Sequence, residues 1–312
     1  MPKLLCNRRV TALLAISVLL TNTVLAKVIH SERSLYRNIL VEDKGDTRCL
    51  KFNVKSNNTR QSCLFKSKPQ QLVFNYTKQL LAGLLINPKP ERILIIGLGG
   101  GTMSNTLHQL LPDSQIDNVE IDQSVIKVAR QYFGFIENEN IKTFSQDGRV
   151  FIKRALLRKQ AYDWIILDAF DGDYIPEHLM TKEFLIEVKD LLTEQGILTA
   201  NTFSSSELYN YESATYKAVF GDFYQVVNKD NSNRIILASK SASLPKLDKQ
   251  TSSLAQHKKL SHLAEFFQVI GVDSKLLYKN MTSTDQHQDW PAASPVLTDQ
   301  FSPANLLKID SD

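Results

Sequence analysis

Ile95-Ile-Gly-Leu-Gly-Gly-Gly101 is the stretch on which the fold turns. Its isoleucines end a run, Arg92-Ile-Leu-Ile-Ile96, that is apolar at consecutive positions and so predicts a strand buried on both faces. The glycines at 97, 99 and 101 then let the backbone turn tightly, and helical spacing of apolar residues begins at Thr102 and runs to 111. A buried strand, a glycine loop and a helix N-terminus in succession let backbone N–H groups approach a ligand closely.

Downstream the period keeps alternating. Strands are predicted at 116–121, 141–144, 163–167 and 197–201, and helices at 124–133, 150–158 and 184–192. Residues 223–227 and 234–238 read as a closing antiparallel pair. Such alternation requires right-handed crossovers and helices on both faces of a parallel sheet. The prediction is an α/β fold: a doubly wound, mostly parallel, seven-stranded Rossmann-like sheet. Upstream, short strand-like runs at 37–42, 48–54 and 61–65, separated by Gly45, Asn57 and Asn58, predict a small β module. A helix over 72–86 follows, and Pro88 and Pro90 end it. The expected divisions are therefore 1–26, 27–87, 88–240 and 241–312. The last division opens with a Ser- and Lys-rich stretch reaching to about residue 256 and has a helical segment near 260–269.

The first 26 residues have the form of a secretory signal. Lys3, Arg8 and Arg9 are basic, residues 10–20 are apolar, and Val24-Leu25-Ala26 offers small residues for cleavage. The alternative is an uncleaved anchor, since the charge-free stretch 10–26 approaches the length needed to span a bilayer. Both readings put the body outside the cytoplasm. In that setting Cys49 and Cys63, facing each other across a turn at 56–58, can form a disulfide; two free thiols on a strand face are the alternative. Lys and Arg number 37 against 33 Asp and Glu, and without the three basic residues of the leader the balance is 34 against 33. A near-neutral chain gives no electrostatic reason to expect nucleic acid.

The candidate site lies where strands of a doubly wound sheet end. The loop reads Gly-x-Gly-x-Gly, with Thr102 where a dinucleotide fingerprint carries its last glycine, which favours an adenosyl sulfonium ligand over NAD. Glu120 ends the second strand, 23 residues after Gly97, and can accept both ribose hydroxyls. Asp147-Gly148 follows the third strand and Asp168 the fourth. Asp147 can accept from an adenine amino group, or can simply cap a helix. A sulfonium is already activated, so transfer needs only a deprotonated nucleophile held in line. Asp168 is the candidate to take the proton, and Asp171 a candidate to hold a cationic substrate. The six histidines and three cysteines show no metal-ligand spacing, so no metal is expected. His178 sits near the presumed site but reads as a surface loop residue. There is no Gly-x-Ser-x-Gly elbow and no Walker loop.

The glycine loop together with Val119-Glu-Ile-Asp122, Gln146-Asp-Gly148 and Leu167-Asp-Ala-Phe-Asp171 resembles the spermidine synthase family, over roughly two-thirds of the chain. The resemblance implies a class I methyltransferase-type sheet with Gly97, Gly99, Gly101, Glu120, Asp147 and Gly148 at the nucleoside. It implies Asp168 as proton acceptor, Gln61 as a donor-binding residue and Tyr76 as a substrate-binding one. It further implies decarboxylated S-adenosylmethionine as donor, a polyamine as acceptor and a homodimer. The chain departs from the family at Gly100, where an amine-binding Asp is usual, at Lys78, where an acid is usual, and after Asp168. With a tail like Leu297-Thr-Asp299, it resembles the spermidine synthase-like branch. The alternatives are methyl transfer from S-adenosylmethionine itself and an exported nucleoside-binding relic.

Overall fold

The structure is a computed structural model that describes residues 25–52, 60–170, 175–204, 208–227, 233–241 and 261–303. The leader through residue 24, the turn at 56–58, Asp171 and the polar stretch 242–256 lie outside the described residues.

Four strands form an N-terminal antiparallel sheet in sequential order: β1 (Lys27–Arg33), β2 (Asn38–Lys44), β3 (Thr47–Phe52) and β4 (Arg60–Phe65). One face of it, carrying Ile39, Val41, Leu50 and Phe52, packs on Val125, Val128 and Phe133 of the larger unit. β1 buries little of its surface, which is why its sequence carries no strand alternation. Cys49 and Cys63 are register partners on β3 and β4, and their sulfurs are bonded.

The predicted helix over 72–86 is two pieces, α1 (Asn75–Leu80) and α2 (Gly83–Ile86). Between them the chain tightens, with Ala82 N donating to Gln79 O and Leu84 N to Leu81 O. That turn sets Gly83 against the Trp164 indole so closely that a Cβ would lie 2.6 Å from the ring. The prolines end the element as expected.

The larger unit runs β5 (Arg92–Ile96), α3 (Thr102–Leu110), β6 (Gln115–Glu120), α4 (Gln123–Tyr132), β7 (Ile141–Ser145), α5 (Gly148–Leu157), β8 (Tyr162–Leu167), α6 (Lys182–Leu191), β9 (Leu192–Phe203), α7 (Leu208–Phe220), β10 (Tyr224–Val227) and β11 (Asn233–Ser239). After it come α8 (Ser261–Val269), α9 (Ser274–Lys279) and β12 (Met281–Ser283). The sheet order is β12-β10-β11-β9-β8-β5-β6-β7, parallel from β9 to β7 and antiparallel beyond β9. Among the described residues it has eight strands rather than the seven expected, because the three-residue β12 pairs with β10. The core is double-sided: Ile93, Ile95, Trp164 and Ile166 face one helical layer, and Leu94, Ile96, Ile165 and Leu167 the other. No helix among the described residues is long and apolar enough to cross a membrane.

The helix α7 is not legible as an amphipathic stripe because its inner face carries Glu212, Ser213 and Thr215. The fully buried Arg234 meets that polarity, donating to Glu212 Oε2 at 3.3 Å and to Ser213 Oγ at 2.6 Å, with its guanidinium over the Tyr209 ring. Chain order reverses between β5 and its neighbours β6 and β8, so a crevice opens at their carboxyl ends.

Candidate active site

A cleft of about 910 Å³, counted to its open mouth, occupies that crevice. The N-terminal sheet forms one wall through Gln61, Ser62 and Arg37, and Tyr76 of α1 forms another.

Gly97 pinches the strand ends together. It donates to Val119 O at 2.8 Å, Asp168 N donates to Ile96 O at 2.8 Å, and Gly97 adopts φ +99°. A Cβ there would lie 2.3 Å from the Asp168 carbonyl oxygen, so only glycine brings β5, β6 and β8 to one point. Gly99 and Gly101 share the left-handed conformation, whereas Gly100 does not. Gly100 is held by packing: a Cβ would lie 2.7 Å from Ser62 Oγ and 3.0 Å from the Phe133 ring. Gly148 opens α5 against Ile96, whose Cγ2 would be 2.6 Å from an added Cβ.

Glu120 is buried at the end of β6, and each of its oxygens accepts one backbone amide: Oε2 from Leu98 at 3.1 Å, Oε1 from Asp122 at 3.0 Å. Burial raises its pKa, while those amides and the Arg37 charge act the other way. A carboxylate oxygen has capacity for a second hydrogen bond, so both can still accept a vicinal diol. Asp147 caps α5 by accepting from Val150 N at 2.9 Å, and its other oxygen lies 2.7 Å from His178 Nε2. The hydrogen bond from His178 is the main reason its carboxyl is held below the usual range.

Asp168 emerges from β8 into the cleft. Its Oδ1 accepts from Asn201 Nδ2 at 2.8 Å, and burial pushes its pKa up to about 7 against that hydrogen bond. The Tyr76 phenol is raised well above its usual value, first by burial and then by the Asp168 charge. Tyr76 OH donates to Gln61 O at 3.3 Å, so the two residues matched by resemblance stand together. The structure thus brings Gln61, Tyr76, Gly97, Gly99, Glu120, Asp147, Gly148 and Asp168 to one cleft. Gly101 underlies the same loop without lining it, its place fixed by Phe135. Lys78 does not line the cleft; its Nζ sits beside Gly271.

Three polar residues of the site escape the sequence reading. Arg37 sits at the β1–β2 turn, donates to Phe170 O at 3.1 Å, lies over the Phe52 ring and approaches Asp122 at 3.9 Å. His178, read as a surface residue, lines the cleft and pairs with Asp147. Asn201 ends the predicted strand 197–201, whereas β9 runs on to Phe203. The tail also reaches this region. Asp299 takes two hydrogen bonds from Arg149, at 2.7 and 2.8 Å, and one from Thr181, while Arg149 Nη1 donates to His178 O at 3.4 Å.

A family model described as the spermine/spermidine synthase domain matches residues 74–231, which carry the glycine loop, Glu120, Asp147 and Asp168. The polyamine aminopropyltransferase of Vibrio vulnificus is 47% identical over 283 residues, 90% of this chain and 91% of that protein. Its match extends into the N-terminal sheet as well. A probable spermidine synthase from Corynebacterium glutamicum has the same fold, with TM-score 0.66 at 20% identity over 88% of this chain and 97% of that one. Human methyltransferase-like protein 13, solved with SAH, follows at TM-score 0.53 and 25% identity, covering 71% and 97%. With a matching domain over the carboxylate-rimmed cleft and a relative alike over nearly its whole length, the chain belongs to the spermine/spermidine synthase family.

Proposed function

We propose that this chain is an aminopropyltransferase that moves an aminopropyl group from decarboxylated S-adenosylmethionine to an amine of polyamine type, with Asp168 accepting the proton. The observation that carries the reading is Asp168: a sheltered carboxylate with pKa about 7, one oxygen fastened, beside Tyr76 and in the same cleft as Glu120. An aliphatic ammonium titrates near ~10 and must lose a proton to become a nucleophile. The amine nitrogen attacks the carbon beside the sulfonium, the C–S bond breaks, and its electron pair stays on sulfur as a neutral thioether. The amine proton passes to the second oxygen of Asp168. Glu120, the glycine loop and Gln61 hold the donor, Asp147 with His178 borders its base, and Tyr76 flanks the acceptor. Asp171 is read as a second anchor for a cationic substrate.

Methyl transfer from S-adenosylmethionine itself is the second reading, and Gly100 favours it. Where an amine-binding carboxylate would stand, Ser62 and Phe133 fill the space. The bonded Cys49 and Cys63 support placing the protein in an oxidising compartment, as an exported or N-terminally anchored chain. There a catalyst needs its donor supplied, and a nucleoside-binding relic does not.

Calorimetric titration with S-adenosylmethionine, its decarboxylated form and 5'-methylthioadenosine, on the wild type and Glu120→Ala, tests the reading. Preference for the decarboxylated donor is expected, with binding weakened at least tenfold in Glu120→Ala, a loss on the scale of one charge-assisted hydrogen bond. Preference for the intact donor points to methylation. Binding of none of the three overturns the enzyme reading.

A further inference from the structure

Asp168, just past the end of β8, stands beside Asn201 of the adjacent parallel strand β9. The register pairs Leu167 of β8 with Ala200 of β9, so the next residue on each strand projects to the same face. That is the face on which Trp164 and Ile166 pack and against which α1 carries Tyr76. Asn201 Nδ2 donates to Asp168 Oδ1 at 2.8 Å. Its Oδ1 accepts from Asn233 Nδ2 at 3.0 Å, across the antiparallel β9–β11 pairing.

A side-chain amide has one donating and one accepting end. With the accepting end held by Asn233, the donating end is the one left for Asp168. Asn201 is 3% exposed, so water is a poor substitute for either contact. The ionisable groups around the Asp168 carboxylate are Tyr76 from α1, Glu120 from β6 and Arg37 from the β1–β2 turn, with Asp147 and His178 paired to each other at the α5 side of the cleft. None of these donates to it; Asn201 is its one hydrogen-bond donor among the described residues.

We infer that Asn201, oriented by Asn233, is a positioning residue: it fastens Asp168 by Oδ1, favours the ionised carboxylate and leaves Oδ2 as the atom that takes the substrate proton. The inference rests on the reading of Asp168 as proton acceptor. The order of effects follows from the geometry. Losing Asn201 removes the hydrogen bond outright. Losing Asn233 leaves the amide free to turn its oxygen toward the carboxylate, which weakens the contact without abolishing it.

Isotope-edited NMR titration of the aspartate carboxyls, with Asp168→Asn identifying the resonance, reads the effect without requiring turnover. In Asn201→Ala the Asp168 midpoint is expected to rise by about one pH unit, and in Asn233→Ala by less, in the same direction. Thermal unfolding and 5'-methylthioadenosine calorimetry check that both variants keep the fold and the nucleoside site. An unchanged midpoint in a folded Asn201→Ala overturns the inference. The acid limb of kcat/KM, measured with decarboxylated S-adenosylmethionine and 1,4-diaminobutane, should move with the midpoint and lower the rate about tenfold at pH 6. A midpoint that moves while the limb stays fixed overturns instead the role of Asp168 in the transfer.

Discussion

Holding a carboxylate at Asp168 has a thermodynamic consequence that depends on pH. Its folded pKa of about 7 lies above the ordinary 3.8, so the folded state binds a proton more tightly than the unfolded chain does. The sign follows: the group's contribution to stability is intact below 3.8 and is lost as pH rises through 7. Replacing the carboxylate by an amide of the same shape removes that loss, and the amide oxygen can still accept from Asn201. Asp168→Asn should therefore be more stable than the wild type at pH 8 by roughly 1–2 kcal/mol, or about 2–6 °C, less than the full shift implies because the cleft is open to water. At pH 4 the two should melt together, while transfer is lost at every pH. Melting curves at pH 4, 6 and 8 decide it; an offset independent of pH would show that Asp168 titrates normally.

The elements that meet at the glycine loop tolerate change unequally. Gly97 faces backbone, the Asp168 carbonyl at 2.3 Å from a Cβ, and combines this with φ +99°. Gly100 faces side chains, of which the Ser62 hydroxyl can rotate away and the Phe133 ring can shift. Gly97→Ala is thus expected to cost about 3–5 kcal/mol and Gly100→Ala about 1–2, with Ser62→Gly recovering part of the second loss and none of the first. Denaturant titration of the two single variants, each with and without Ser62→Gly, ranks them, and equal costs would contradict this packing. The same elements show what the sequence could say. Strands buried on both faces, such as Arg92–Ile96, and carboxylates at successive strand ends announce themselves locally, because burial and topology act on contiguous residues. The helix α7 is masked by the polar face it offers Arg234, and β12 is too short to carry a period. Arg37 reaches the cleft by packing of a distant segment, and no neighbour in the chain signals it; His178 follows Asp168 by ten residues, but its pairing with Asp147 has no local sign. Asn201 closes the predicted strand 197–201 but lacks the charge by which Glu120, Asp147 and Asp168 stand out, and β9 runs two residues past it.

At the scale of the whole molecule, the cleft is built by the parallel core and closed by what lies before and after it. The N-terminal sheet supplies Gln61 and Arg37, and the tail, which does not line the cleft, reaches its rim through Arg149. Leu297 is fully buried against Met180 and Leu208, its N–H donates to Thr215 Oγ1, and its carbonyl accepts from Lys182 N. Two residues later Asp299 grips Arg149, whose hydrogen bonds hold the Asp299 carboxyl down to about 2. Arg149 in turn donates to Glu187 and to the His178 carbonyl, and the His178 ring meets Asp147 in the cleft. Tail and rim are therefore mechanically linked through one guanidinium. Asp299→Ala leaves Arg149 with Glu187 and the His178 carbonyl, at a cost on the order of 1 kcal/mol given how open the Asp299 side chain is to solvent. The larger effect is expected at the cleft: a His178 turn less firmly held, 5'-methylthioadenosine bound a few-fold more weakly, and faster cleavage of the tail by protease. If the tail is cleaved faster while nucleoside affinity is unchanged, the tail anchors only itself and the rim stands without it.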